Sequence, residues 1–373
     1  MNIDVVDLAQ KLIQFPSLNP PGQEKACIEY LANLLSKGGL EVATFEFAPN
    51  RPSLIAKIIG SGSEKPLCFT GHVDVVPLGA EIWNTAPFAG DIRDGKLFGR
   101  GASDMKAGVA AFVAATLAQV DDGEKFRRGV TLVITAGEET GCQGAFHLSK
   151  LGVLGSSALL IVAEPSSNFP IIAHKGSLRI SVSARGRSAH SSMPELGDNA
   201  IDKVVEWIQR LNKFQFEVPA HPLLGKTTAS VTTVFGGQNI NSVPDSAGFT
   251  VDFRTIPAHL HVDLLADIEK LLDPEARIEI VTDFVGFATE PDDPAIEPLM
   301  DILAKRCGRR PILTGAPYFT DASALVPGFD NVATVVIGPG DAAQCHQTDE
   351  FCFVDRIVEA FSIYSALIQQ MCK

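Results

Sequence analysis

Four apolar runs and one glycine-rich turn in this chain each end on an acid or an imidazole, and this restricts the fold more than any other feature. Residues 68–70 lead into Gly71-His72-Val73-Asp74, and residues 130–136 into Gly137-Glu138-Glu139. Residues 158–163 stop at Glu164-Pro165, and residues 332–337 pass through Gly338-Pro339-Gly340 towards His346. The turn Gly99-Arg100-Gly101-Ala102-Ser103 delivers Asp104-Met105-Lys106. Apolar strands that end at functional side chains are what an α/β sheet needs to assemble a site at its carboxyl edge. Histidines with several carboxylates make a ligand set for zinc or a similar borderline metal. The set is large enough for a pair of ions with one carboxylate left over as a base.

The rest of the chain supports a layered α/β reading. Helical spacing marks residues 5–15 and 24–37, separated by the loop Asn19-Pro20-Pro21-Gly22. Strand patterns cover 41–47, 53–59 and 67–70. An Ala- and Val-rich helix follows at 106–120, and then strand, helix, strand at 130–136, 144–151 and 158–163. Near residue 171 the pattern changes. Strand alternation at 178–184, 230–235 and 248–254 is interleaved with helices at 199–211 and 260–272. That segment predicts a small α+β domain inserted into the first. The α/β pattern resumes with a helix at 296–306, a strand at 332–337 and a last helix at 354–370. The expected division is a catalytic domain at 1–176 and 289–373, with an insertion at 177–288. A chain of 373 residues is also long for a single core.

Bulk properties exclude some functions. A net charge of −13 argues against a nucleic-acid or anionic-membrane surface. The seven cysteines are odd in number, widely spaced and free of C-x-x-C, which suits reduced thiols in a cytoplasm. The amino terminus lacks the pattern of a signal peptide, and no apolar run is long enough to span a bilayer. No phosphate loop, dinucleotide fingerprint or nucleophile elbow occurs.

Taken singly, each acid or imidazole has an ordinary explanation. In a local strand His72 and Asp74 share a face, so the carboxylate could orient the ring of a metal ligand; a polar strand end would look the same. Asp104 could bridge two cations or cap a helix. Glu138 and Glu139 would repel each other unless a metal engaged one and left the other as base; a solvated acidic pair is the alternative. Glu164 and His346 could be loop residues. All five positions together, each at a strand end or tight turn, favour a metal centre.

As a set, these segments resemble the zinc-dependent amidohydrolases that include acetylornithine deacetylase, succinyl-diaminopimelate desuccinylase, aminoacylase and glutamate carboxypeptidase. The resemblance rests on Gly71-His72-Val73-Asp74-Val75-Val76-Pro77, Trp83 through Pro87-Phe88, Gly99 through Gly108, Glu138-Glu139-Thr140-Gly141 and Glu164-Pro165. It implies a zinc-exopeptidase-like three-layer α/β catalytic domain with an inserted α+β dimerisation or lid domain. It also implies two zinc ions, with cobalt as a substitute. Asp104 would bridge them, His72 and Glu164 would complete one site, and Glu139 and His346 the other. Glu138 would be the general base, Asp74 would support catalysis, and the Asp104-Met105 bond would be cis.

Within the insertion, Gly186 through Pro194, Asn241-Ser242-Val243-Pro244 and Asp252-Phe253-Arg254 resemble the family's second signature. The resemblance implies a homodimer in which His190 reaches the partner's centre and donates to a developing oxyanion. Asn241 and Arg254 would hold the substrate, the arginine fork suiting a carboxylate. Without the resemblance, His190 reads as a turn residue and Arg254 as half of a surface ion pair.

The late loop Gly315 through Ala322, with Thr320 as a candidate substrate contact, departs from the Gly-Thr-Ser-Asp-Gly-like sequence of desuccinylases. Gly338-Pro339-Gly340 and His346 through Glu350 are closer to acetylornithine deacetylases. The expected activity is therefore hydrolysis of an N-acyl amino acid, acetylornithine first, in a cytoplasmic arginine-biosynthetic setting. Desuccinylation, a carboxypeptidase or dipeptidase activity and a non-catalytic dimeric binding role are the alternatives.

Overall fold

The computed structural model describes residues 3–121 and 125–373. The chain forms two compact units. One comprises Met1–Ile172, Ala288–Thr314 and Thr320–Lys373, and the other Ala173–Phe287 with Gly315–Phe319.

The first unit is built on a mixed sheet. Six of its nine strands run in the order Glu41–Ala48, Arg51–Ile58, Val130–Thr135, Leu67–His72, Leu159–Val162, Thr334–Val336. The last four are mutually parallel and buried along their whole length. Strands covered on both faces read as continuous apolar runs, which is why these four are so plain in the sequence. Because they point the same way, their carboxyl ends share one edge of the sheet.

Helices Val5–Ile13, Ala107–Asp121 and Val354–Cys372 pack on one another, and Gln143–Leu151 packs with Ala322–Gly328, giving the layered α/β arrangement. Phe69 carries this packing to the sheet, with its ring 5.9 Å from Phe112 and 5.2 Å from Tyr364. Helix Ala107–Asp121 is apolar nearly all round, as a helix enclosed by neighbours must be. Its Gly108 lies so close to the sheet that a Cβ there would stand 2.2 Å from the carbonyl oxygen of Ala163. A small ribbon of Phe351–Phe353, Lys96–Phe98 and Ile92–Arg93 was not evident from the sequence. It pairs Phe351 with Phe98, so the loop entering Asp104 and the loop leaving His346 share one anchor.

The second unit is a four-stranded antiparallel sheet in the order Thr228–Gly236, Ser246–Thr255, Gly176–Arg185, Arg277–Phe284. Helices Ala200–Lys213 and His261–Leu271 pack with it around Trp207, Phe249 and Phe253. The alternating burial of Gly176–Arg185 is the period-2 pattern of a sheet with one buried face. Strand Arg277–Phe284, a mostly exposed edge, was not expected from the sequence, although the opposite exposed edge Thr228–Gly236 was. No helix among the described residues is long and apolar enough to cross a membrane.

Candidate metal centre

The carboxyl edge of the parallel strands gathers the first unit's expected residues. His72 is the last residue of its strand and is 1% exposed. Its Nδ1 lies 3.0 Å from the backbone carbonyl oxygen of Asp74, with the Asp74 carboxylate further off at 3.6 Å. A carbonyl only accepts, so Nδ1 carries the hydrogen and Nε2 is left to face the site. Nε2 lies 3.2 Å from Asp104 Oδ1 and 3.6 Å from Glu164 Oε1. On the other side, His346 Nε2 lies 3.0 Å from Glu139 Oε2 and 3.5 Å from Asp104 Oδ2. The two oxygens of Asp104 thus face two separate groups. In each group, His72/Asp104/Glu164 and Asp104/Glu139/His346, the ligand-type atoms lie within 4.8 Å of one another.

These residues suit a pair of divalent ions. Ligand atoms ~2.0–2.1 Å from a tetrahedral zinc stand about 3.4 Å apart, close to the spacings seen here. The donors are imidazole nitrogens and carboxylate oxygens, as a borderline cation prefers. Glu139 Oε1 is buried with no hydrogen-bond partner among the described residues, which leaves a carboxyl oxygen without compensation.

Asp74 has a different job from the one its spacing suggested. Its carboxylate accepts from the backbone N–H of Gly137, Glu138 and Glu139 and from Asn19 Nδ2. It therefore shapes the turn that presents the two glutamates. Asn19 also donates to Thr140 Oγ1 at 2.9 Å. The Asp104-Met105 bond is cis. The turn before it is held by Glu350, whose carboxylate accepts from the N–H groups of Gly101, Ser103 and Asp104 and from Arg100 Nη1.

The charges are strongly linked. Burial opposes ionisation of Asp104, but hydrogen bonds from His346 and His72 hold its carboxyl well below the usual range. Hydrogen bonds to Asp104 and Glu139 push His346 up to about 10. Burial pushes Glu138 well above an ordinary carboxyl; Glu164, Asp321 and Glu139 add to this while His72 opposes it. Burial likewise raises Asp321 to about 6.

Asp321 is a site residue that the sequence reading missed. It is buried and lies near Glu138 together with Cys142. Its only signal was its place after Thr320. Thr320 itself is 1% exposed, and its hydroxyl accepts from the N–H of Ala322 at the start of helix Ala322–Gly328. Its side chain is thus committed to the helix start.

His190, Asn241 and Arg254 belong to the second unit. His190 is exposed and bridges to Ser242, and Ser191 N–H donates to the carbonyl oxygen of Asn241. The motif loops 186–194 and 241–244 are thereby neighbours. Arg254 pairs with Asp252, Nε to Oδ1 at 2.9 Å, and Asp252 also receives Arg179.

Comparison with known proteins identifies the family. The model for "Peptidase family M20/M25/M40" matches residues 68–370. A probable succinyl-diaminopimelate desuccinylase of Staphylococcus epidermidis is 32% identical over 368 residues, covering 90% of each chain. The succinyl-diaminopimelate desuccinylase of Wolbachia pipientis subsp. Culex pipiens is 30% identical and covers 99% of this chain and 94% of its own. Among solved structures, an M20 family metallo-carboxypeptidase from Sulfolobus solfataricus superposes with a TM-score of 0.79 at 18% identity, covering 98% and 99% of the two chains. A dinuclear metal-binding M20 peptidase of Bacillus subtilis gives 0.72 at 14%, covering 98% and 97%. With a family match over residues 68–370 and relatives 30–32% identical across most of their length, this chain belongs to peptidase family M20/M25/M40.

Proposed function

We propose that the chain is a metal-dependent amide hydrolase that removes the acyl group from an N-acyl amino acid, with N-succinyl-diaminopimelate the first substrate to test. The observation that carries the reading is Asp104, with one oxygen towards His72 and the other towards His346. The relatives' names favour a succinyl group over the acetyl group that residues 338–340 and 346–350 suggested. N-acetylornithine is the second candidate.

His72, Asp104 and Glu164 would hold one divalent ion and Asp104, Glu139 and His346 the other; zinc suits the donors, with cobalt as a substitute. When bound, such a pair supplies Lewis acidity that polarises an amide carbonyl and acidifies water. Glu138 takes the proton from the attacking water and delivers it to the departing nitrogen. Burial and the neighbouring carboxylates raise its affinity for the proton it accepts. Asp74 holds the Glu138-Glu139 turn in register. In a homodimer, His190 donates to the oxyanion of the partner's site, while Asn241 and Arg254 engage the amino-acid portion. A cytoplasmic location would fit seven free cysteines.

The test is a panel of N-succinyl-diaminopimelate, N-acetylornithine, other N-acyl amino acids and dipeptides, with protein reloaded with zinc. Deacylation outpacing dipeptide cleavage is expected. Glu138→Gln should retain metal and lose ~10²–10⁴ in kcat. No hydrolysis of any amide by metal-loaded protein, or near-normal turnover by Glu138→Gln, would remove the proposal.

A further inference from the structure

A third cluster lies beside the two ligand groups. One oxygen of Glu138, one of Asp321 and Cys142 Sγ all fall within 4.8 Å of one another. Cys142 is 0% exposed and opens helix Gln143–Leu151 in the left-handed region, at φ 52°. Its N–H donates to the carbonyl oxygen of Glu138, so its backbone is tied to the residue its side chain meets. The thiol donates to Glu138 Oε1 at 3.7 Å. Asp321 accepts from Thr135 Oγ1 through Oδ2, and its carboxyl also lies within hydrogen-bonding reach of the Cys142 thiol.

Burial, reinforced by the charges of Glu138 and Asp321, pushes the Cys142 thiol well above its ordinary range. It therefore keeps its hydrogen and acts as a donor, not as a nucleophile. A carboxyl with one oxygen fixed has only its other oxygen free to meet water, and small errors in such orientation are costly.

We propose that Cys142 is a positioning residue for Glu138, its thiol pinning Oε1 so that Oε2 receives the proton, with Asp321 closing the far side of the thiol. This rests on Glu138 being the base. No bond to sulfur forms, and the sulfur keeps its proton throughout.

The test compares Cys142→Ala, Cys142→Val, Cys142→Ser and Asp321→Asn by kcat, KM, bound metal and melting temperature, with Glu138→Gln in parallel. Cys142→Ala and Cys142→Val should lose ~10–100-fold in kcat at unchanged KM and metal content. Cys142→Ser restores a donor and should recover most of the loss. Asp321→Asn should lower kcat without moving KM. Should Cys142→Ala fail to fold, Asp321→Asn and the nearly isosteric Cys142→Ser carry the comparison, because β-branched Val is more strained than Ala at φ 52°. Wild-type kcat in the Ala, Val and Asn variants would overturn the proposal, and so would a loss that Ser fails to recover or that follows metal loss. Near-normal turnover by Glu138→Gln would instead remove the base assignment itself.

Discussion

Replacing Glu350 tests whether the bridging Asp104 is held from behind. The Glu350 carboxylate takes Arg100 Nη1 at 2.8 Å and Gly101 N–H at 2.9 Å on Oε2. Oε1 takes Ser103 N–H at 2.8 Å and Asp104 N–H at 3.0 Å. The Arg100 and Glu350 side chains are 2% and 1% exposed, so water cannot substitute for what is lost. Removing one partner of a buried ion pair costs about 3–5 kcal/mol, and stranding amide donors moves the figure towards the upper end. At ~2–4 °C per kcal/mol for a unit of this size, Glu350→Ala should lower the melting temperature by about 10–20 °C. Glu350→Gln keeps an acceptor oxygen and should fall between Ala and wild type. The loosened turn carries Asp104, so metal affinity should also drop, by ~10–100-fold, as for other groups that orient a ligand. Calorimetric melting and competitive metal titration read the two effects separately. A Glu350→Ala protein that melts within ~2 °C of wild type and binds metal equally well would refute the reasoning.

Metal loading should expel protons. Hydrogen bonds to Asp104 and Glu139 raise His346 to about 10 in the metal-free protein, and a ligating imidazole must give up that proton. Apparent affinity should therefore rise with pH up to that value, and near pH ~7 the binding enthalpy should vary with the buffer's ionisation enthalpy; a buffer-independent enthalpy would count against His346 as a ligand. Mixing inactive Glu138→Gln chains with inactive His190→Ala chains should restore a fraction of wild-type activity, because one site of each mixed dimer would join an intact Glu138 to a partner's His190. Persistent inactivity in demonstrated mixed dimers would exclude action in trans.

By itself, the sequence determined the buried parts of the fold and the candidate centre. Strands such as Val130–Thr135 and Leu159–Val162 are enclosed on both faces, so apolar residues fill them apart from the buried Thr131 and Thr135. The polar residue that ends such a run then stands out, as His72, Glu138 and Glu164 do. Exposed edges are less constrained: Glu41–Ala48 and Thr228–Gly236 were still legible from their patterns, whereas Arg277–Phe284 was not. Short ribbons such as Lys96–Phe98 with Phe351–Phe353 have too few residues to show a period.

Only the tertiary structure decided how the polar residues divide their work. Asp74 and His72 are two positions apart, yet the ring takes the Asp74 backbone carbonyl and the carboxylate serves the turn at 137–139. Glu350 reaches back across 246 residues to Asp104, and Asp321 reaches Thr135 across 186. Periodicity records which residues are buried. It does not record which distant backbone donor or carboxyl a buried side chain meets, because chain crossings set that pairing.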